Sequence, residues 1–537
     1  MDPIILESPS SAKYLAFGSL GGPDFQSMLK ESIERFLIEV HKEYCDFSAF
    51  RSIAFRLLQS SIDPPLEVIW FYSALGYHEA IRSKKEVFDR VIAVKDLLQL
   101  LSACSASCNG PKSVALLAPV VSELYHCARE EKKLSGKEAK KLRKEIESLA
   151  EGLISYISIC SGRNDGGPEL GDGYLLPCFA DIIRIWTVQH CETANDLSIL
   201  FPLVGDEIRA CFRQQGCGIG YLAGGVVAEA FLLSLSLKVQ VDGLPRPDLQ
   251  KELRIWAVSS ITAFQNYVFF DILLRLLLNP PMPLMTILSS TDECLVRNIL
   301  YDAVILVDYS FINLGIELEN FSDSMMNIVM RRLLVTHEAI QIVRERGDHN
   351  KAISYTNAFS TSCVPNALTK WASYHVGSEK LNRPNATTPQ GLLKWFLVLE
   401  EQGLKLFEDD ILELHSKLIL EESNLGSGTT KYDSSSKVTD ADIFFFDNKG
   451  RDDNKVAEDE DMGITDAAFL SAAHSMKSEA NKGRKKRKEY TYEESGSQVK
   501  FVKYKLHDKS VKDHFNISMA DNSGSEVENP PADEMEE

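Results

Sequence analysis

Apolar residues recur at helical spacing through most of the first 420 positions, and nowhere there do they alternate at the period of two that a half-buried strand shows. They are densest over 253–343. Across 253–278 the run is nearly continuous, with Trp256, Ile261, Phe264, Tyr267, Val268, Phe269 and Phe270 leading into a leucine-rich end. It is long enough to cross a bilayer, for which about 20 residues suffice. However, Arg254, Gln265, Asn266, Asp271 and Arg275 interrupt it, and each ionisable group at membrane depth costs on the order of 2.5–3.5 kcal/mol. Asp271 and Arg275, four apart, pair along one helix face. The pattern therefore predicts a helix buried on most sides within a protein. Asn279-Pro280-Pro281 ends it, because proline lacks the donor and pushes its predecessor out of the α region.

Two more helices follow. One opens after Thr291-Asp292-Glu293, with capping oxygens and early negative charge, and runs through Leu295, Ile299, Leu300 and Ile305. The other opens at Ser322-Asp323-Ser324 and closes on Arg344, Arg346 and Gly347, cations at the negative end of the helix dipole before a left-handed cap. Upstream, the spacing predicts helices from Asp24 through Tyr44 and over 47–58, 66–77, 87–101, 114–127, 146–157, 179–190, 196–212 and 225–239. Downstream it predicts 352–359, 367–376 and, launched by Thr388-Pro389, 392–420. The charged segment 129–144 reads as a solvated helix pair or loop tip, or as a basic docking surface. The glycine-rich stretch 162–173 is the clearest internal loop, and 162–176 a possible subdivision.

The expectation is an all-α protein: a flexible N-terminus over 1–22, a helical domain over 23–420 and a disordered acidic tail over 421–537. Long helices about every 20 residues suit an array of helical hairpins, a solenoid of HEAT or armadillo type, with an irregular helical domain as the alternative.

Composition changes the picture in two ways. A net charge of -19 argues against a nucleic-acid surface spread over the whole protein. The 11 cysteines are odd in number and scattered among apolar residues, as reduced thiols of an intracellular protein would be, and no secretory signal opens the chain.

The tail carries the candidate chemistry. Lys482, Arg484, Lys485, Lys486, Arg487 and Lys488 form a compact basic cluster suited to an import receptor's groove, giving an expected nuclear location that includes the nucleolus. Ile443, Phe444, Phe445 and Phe446 form an aromatic knot between Asp442 and Asp447, suited to docking in a partner groove with a basic rim. Residues 498–506 alternate basic and apolar positions, as a strand added to a partner's sheet edge would, or one stacking on nucleic acid. Ser525 stands in an acidic context suited to phosphorylation.

Enzyme-like signals are weak. Gly218-Ile219-Gly220-Tyr221-Leu222-Ala223 fits a dinucleotide fingerprint, with Asp242 downstream, but follows a helix-like segment instead of a strand. Its glycines suit a turn and close helix packing. Cys104 with Cys108, Cys211 with Cys217, and the pairs His126-Cys127 and His190-Cys191 lack zinc-site spacing. No cofactor or metal is expected. The preferred reading is a non-catalytic nuclear scaffold or adaptor that binds protein partners, in chromatin maintenance, transcription or ribosome assembly, without a membrane span. Two alternatives stay open: an enzyme or ligand-binding protein with a dispersed site built on Asp271, Arg275, Asp302 and Asp308, or a nucleic-acid binder acting through the basic tail.

Overall fold

Side-chain caps set where many of the helices begin. Asn109, Asn266, Ser289, Asp348 and Thr388 each accept a hydrogen bond from the backbone N–H three residues on, at 2.9, 2.9, 3.2, 3.0 and 3.2 Å. Each satisfies a donor that the first helical turn leaves open. The computed structural model describes residues 23–42, 46–59, 63–82, 86–106, 108–162, 175–188, 200–213, 218–240, 246–279, 281–312, 323–376 and 388–401. Within them lie α1 (Pro23–Glu39), α2 (Ser48–Gln59), α3 (Leu66–Arg82), α4 (Val87–Cys104), α5 (Gly110–Ala115), α6 (Ala118–Glu131), α7 (Gly136–Ser161), α8 (Phe179–Thr187) and α9 (Asp206–Arg213). The chain continues through α10 (Ile219–Val239), α11 (Arg246–Phe264), α12 (Tyr267–Leu278), α13 (Ser290–Ile305), α14 (Asp323–Glu345), α15 (His349–Thr361), α16 (Val364–Val376) and α17 (Pro389–Glu401). No strand occurs among the described residues, and the protein is all-α.

The end of α14 follows the sequence closely. Gly347 takes a φ of 81°, its N–H donates to the Arg344 carbonyl, and that of Asp348 donates to the Val343 carbonyl, both at 2.9 Å. These are the paired bonds of a Schellman closure. Other boundaries differ from the spacing. The apolar run over 253–278 is two helices, broken at Gln265, whose φ is 47°, and restarted by the Asn266 cap. The stretch 114–127 is also broken, after Ala115, where Pro119 in the first turn of α6 has no N–H to extend the ladder. Helix α9 starts only at Asp206, and Phe201 to Gly205, including Pro202, is non-helical.

The packing centre is α10, which lies upstream of the densest apolar stretch. Residues 222–237 are buried without interruption, and α10 packs against α5, α6 and α7 on one side of it in the chain and α11, α12 and α13 on the other. A helix apolar on all sides must be enclosed. By length and composition α10 passes as a membrane span, yet this protein's own helices cover it. Phe231 stacks on Trp256 of α11 at 5.1 Å between ring centroids and meets Phe269 of α12 edge-on at 5.2 Å. Two glycines allow this closeness. A Cβ at Gly224 would lie 2.5 Å from Val268 Cγ1, and one at Gly225 would lie 2.5 Å from Phe212 Cζ.

A second centre is α14, packed against α12, α13, α15, α16 and α17. Toward the N-terminus, α3 packs on α2 and α4, and α8 returns to α1 and α3. In a regular solenoid each unit meets only its chain neighbours. The two hubs and the return of α8 give an irregular helical packing instead. The charged segment 129–144 spans the end of α6, an exposed turn and the first two turns of α7, which bury Ala139 and Leu142 on one face.

Candidate functional site

The basic cluster at Lys482, Arg484, Lys485, Lys486, Arg487 and Lys488 and the aromatic knot at Ile443, Phe444, Phe445 and Phe446 lie outside the described residues, as do residues 498–506 and Ser525. The dispersed set in the central helices lies within them, and its four members are engaged at three junctions.

Asp271 and Arg275 pair as their spacing predicts, Arg275 Nε donating to Asp271 Oδ2 at 2.9 Å. The other carboxylate oxygen accepts from Nη1 of Arg331 on α14 at 2.7 Å. Arg275 Nη1 also donates to Glu207 of α9 at 2.5 Å. Burial works against the charge on Arg275, but the neighbouring carboxylates of Asp271 and Glu207 outweigh it and raise its pKa further. Asp302, on α13, accepts from the hydroxyl of Tyr355 at 2.6 Å and pairs with Lys351 at 3.0 Å, both on α15. Burial, reinforced by this carboxylate, drives the Tyr355 hydroxyl well above the ordinary phenol pKa.

Asp308 accepts from Nη1 of Arg332 at 3.2 Å and faces Cys363 just before α16. Arg332 also donates to the carbonyls of Val304 and Val307 at 3.1 and 2.8 Å. It thus covers carbonyls that the end of α13 leaves open, at the negative pole of that helix. The four residues therefore form three separate staples: α9 to α12 to α14, α13 to α15, and α13 to α14 and α16. Among the described residues the three staples engage different sets of helices and share no hydrogen-bond partner. A cavity of about 80 Å³ opens elsewhere, between α7 and α10, lined by Glu147, Ala150, Glu151, Ser234, Leu237 and Lys238. It is well below the roughly 300 Å³ at which ligand pockets begin.

Sequence reasoning passed over Glu229, the one acid in the long apolar face of α10. Its Oε1 accepts from the N–H groups of Leu203 and Val204 at 2.7 and 2.8 Å, fixing the non-helical segment before α9 onto the hub. Complete burial pushes its carboxyl up to about 8, the two N–H bonds pulling it down only in part. Unfolded, the group ionises near 4.5. The folded chain thus binds one more proton between those values, and its stability falls as pH rises through that window. Glu229→Gln keeps the acceptor oxygen without the ionisation. Denaturant unfolding between pH 5 and 9 is expected to show the variant gaining on the parent as pH rises, by a few kcal/mol at the top. A constant difference across that range would show that Glu229 stays ionised in the fold.

The remaining titratable clusters are structural in the same way. Arg90 of α4 reaches Glu123 and Glu130 of α6 at 3.1 and 2.7 Å, and Lys112 holds Asp63 at 2.5 Å. Burial pushes the Cys108 thiol up to about 11 and Cys127 up to about 12, which keeps both protonated. No disulfide joins the described cysteines, and Cys294 is exposed. Among the described residues no group of three His, Cys, Asp or Glu side chains is placed to hold a metal ion. The fingerprint-like glycines fall at a helix start, with Gly218 immediately before α10; the described segment upstream of them is the helix α9, and Asp242 lies outside the described residues. No family model, curated protein or solved structure matches the chain.

Proposed function

We propose that this protein is a non-catalytic scaffold or adaptor of the nucleus, a helical body that carries protein-docking and import segments in its tail. What supports this reading most is how the body uses its buried and half-buried polar side chains. Asp271, Arg331, Asp302, Arg332, Glu229 and Arg90 each join one helix or segment to another, so the polar interior holds helices in place and presents a fixed outer surface. The tail supplies the address and the anchor: the basic cluster 482–488 engages an import receptor, and the 443–446 knot seats in a partner groove.

Proximity labelling from the intact protein in its native cells tests both parts, beside Lys485→Ala/Lys486→Ala/Arg487→Ala and Phe444→Ala/Phe445→Ala/Phe446→Ala. The intact protein is expected to mark a coherent nuclear set. The basic-cluster variant loses that set together with the nuclear location, whereas the aromatic variant stays nuclear and loses part of it. Identical cytoplasmic neighbours for the intact chain and the basic-cluster variant would overturn the reading.

A further inference from the structure

Helix α7 buries Ala139, Leu142, Ile146, Ala150 and Leu153 along one face. On the opposite face Lys137, Lys140, Lys141 and Lys144 recur at i, i+3, i+4 and i+7, and all four are exposed. At 1.5 Å per residue they form a single stripe about 10 Å long, continued by exposed Lys133 in the turn from α6. None of these five lysines has an ion-pair partner among the described residues; Lys141 lies over the ring of Phe88, 4.5 Å from its centroid. Glu138 and Glu145 lie to one side of the stripe and make no ion pair with it. Lysines without an ion pair also occur elsewhere, such as Lys95 of α4 and Lys251 of α11, but each is the one lysine of its helix, and other surface cations are paired, Arg35 with Glu31, Arg51 with Glu79, Lys238 with Glu151 and Arg246 with Asp292. In a chain with 77 acidic and 58 basic residues, acids are not scarce. A cationic face left unneutralised therefore fits an anion supplied from outside.

The chemistry of the stripe selects the anion. It consists of lysines alone, flexible point charges that suit phosphates, and lacks the guanidinium fork that grips carboxylates in two places. The arginine in this segment, Arg143, is turned away to Glu147 at 2.9 Å and the Leu237 carbonyl at 3.2 Å. From 137 to 148 the exposed positions hold only lysine, glutamate and serine, with none of the aromatic or other apolar anchors that centre a protein interface, where lysine is depleted. A nucleic-acid duplex carries one charge per about 3.4 Å of axis on each strand, so a 10 Å stripe runs along roughly three phosphates of one strand with those of the other across the groove. We propose that the α7 lysine stripe is a sequence-independent contact for a nucleic-acid backbone, separate from the basic cluster of the tail.

The test uses the purified full chain carrying Lys485→Ala/Lys486→Ala/Arg487→Ala, so that the tail cluster does not mask the body. Its binding to labelled mixed-sequence duplex DNA and duplex RNA is measured from 50 to 200 mM salt. Beside it runs the same chain with Lys137→Gln, Lys140→Gln, Lys141→Gln and Lys144→Gln, its fold checked by circular dichroism melting. Four phosphate contacts contribute about 3.6 to the salt slope, or roughly a hundredfold loss of affinity over that range. The glutamine variant is expected to lose that contribution, and a variant with arginine at the same four positions to keep it. Stripe-dependent binding of either polymer supports the proposal. An unchanged slope in the glutamine variant overturns it, as does stripe-dependent binding to polyglutamate or to anionic vesicles without binding to nucleic acid.

Discussion

Asp271→Ala is expected to lower the stability of the helical body by about 3–5 kcal/mol, the range found when one partner of a buried ion pair is removed. The carboxylate is 13% exposed and Arg331 only 4%. Without Asp271, the Arg331 Nη1 group on α14 loses its acceptor on α12, and its desolvation is no longer offset there. Arg275 fares better because Glu207 still accepts from it. The loss should therefore arise between α12 and α14, and most of it should return in Asp271→Leu/Arg331→Met, where apolar side chains of similar volume replace the pair. Denaturant unfolding of the three chains decides the matter. A loss below about 1 kcal/mol for Asp271→Ala would place the pair with the weak, solvent-screened ion pairs of protein surfaces. Since a domain of ordinary stability has only about 5–15 kcal/mol in hand, the single variant should also reduce the amount of folded protein in cells.

Gly224→Ala is the second large effect, and one that depends on distance alone. The added Cβ would stand 2.5 Å from Val268 Cγ1, 2.6 Å from Val268 Cβ and 3.2 Å from the Phe269 nitrogen. That nitrogen is already committed to the Asn266 cap, so the start of α12 cannot give way without losing the hydrogen bond that begins it. Overpacking of this kind costs about 1–3 kcal/mol and sometimes more, against a gain of only about 1 kcal/mol for replacing a helical glycine by alanine. With a contact this short the cost falls at the upper end, and a net loss of about 2 kcal/mol is expected. Gly152 supplies the control: it is exposed in α7, with nothing within 4 Å of a new Cβ, so Gly152→Ala should stabilise by up to about 1 kcal/mol. If both substitutions changed stability in the same direction, the close approach of α10 and α12 would not be what places a glycine at 224.

These effects bear on function through rigidity. Under the proposed scaffold role a surface is presented only as well as the helices hold their positions, and both substitutions act where a hub meets its neighbours. The lysine stripe on α7 depends on the same frame, because α7 rests on α10, with Arg143 reaching the Leu237 carbonyl and Lys238 reaching Glu151.

The sequence by itself determined what is decided within about four residues. The helical period and the Asp271–Arg275 pair were legible there, as were the Thr388-Pro389 start and the closure at Gly347, because each rests on contacts within one turn of the chain. The lysines of 137–144 were visible as a charge run, but their alignment opposite a buried face needed the helix to be placed. Tertiary structure alone decided the rest. Gln265 and Asn266 stand in the sequence as polar interruptions of the apolar run, but nothing in the period marks them as the point where the helix stops, with Gln265 at a φ of 47°, and a second one starts. The partner of Asp271 stands 60 residues away on another helix, and that of Glu229 25 to 26 residues away. The choice of α10 as the centre likewise depends on which apolar faces meet. Burial is a property of the assembled helices, and apolar attraction has no direction, so the pattern along the chain says that a face will be covered without saying by what.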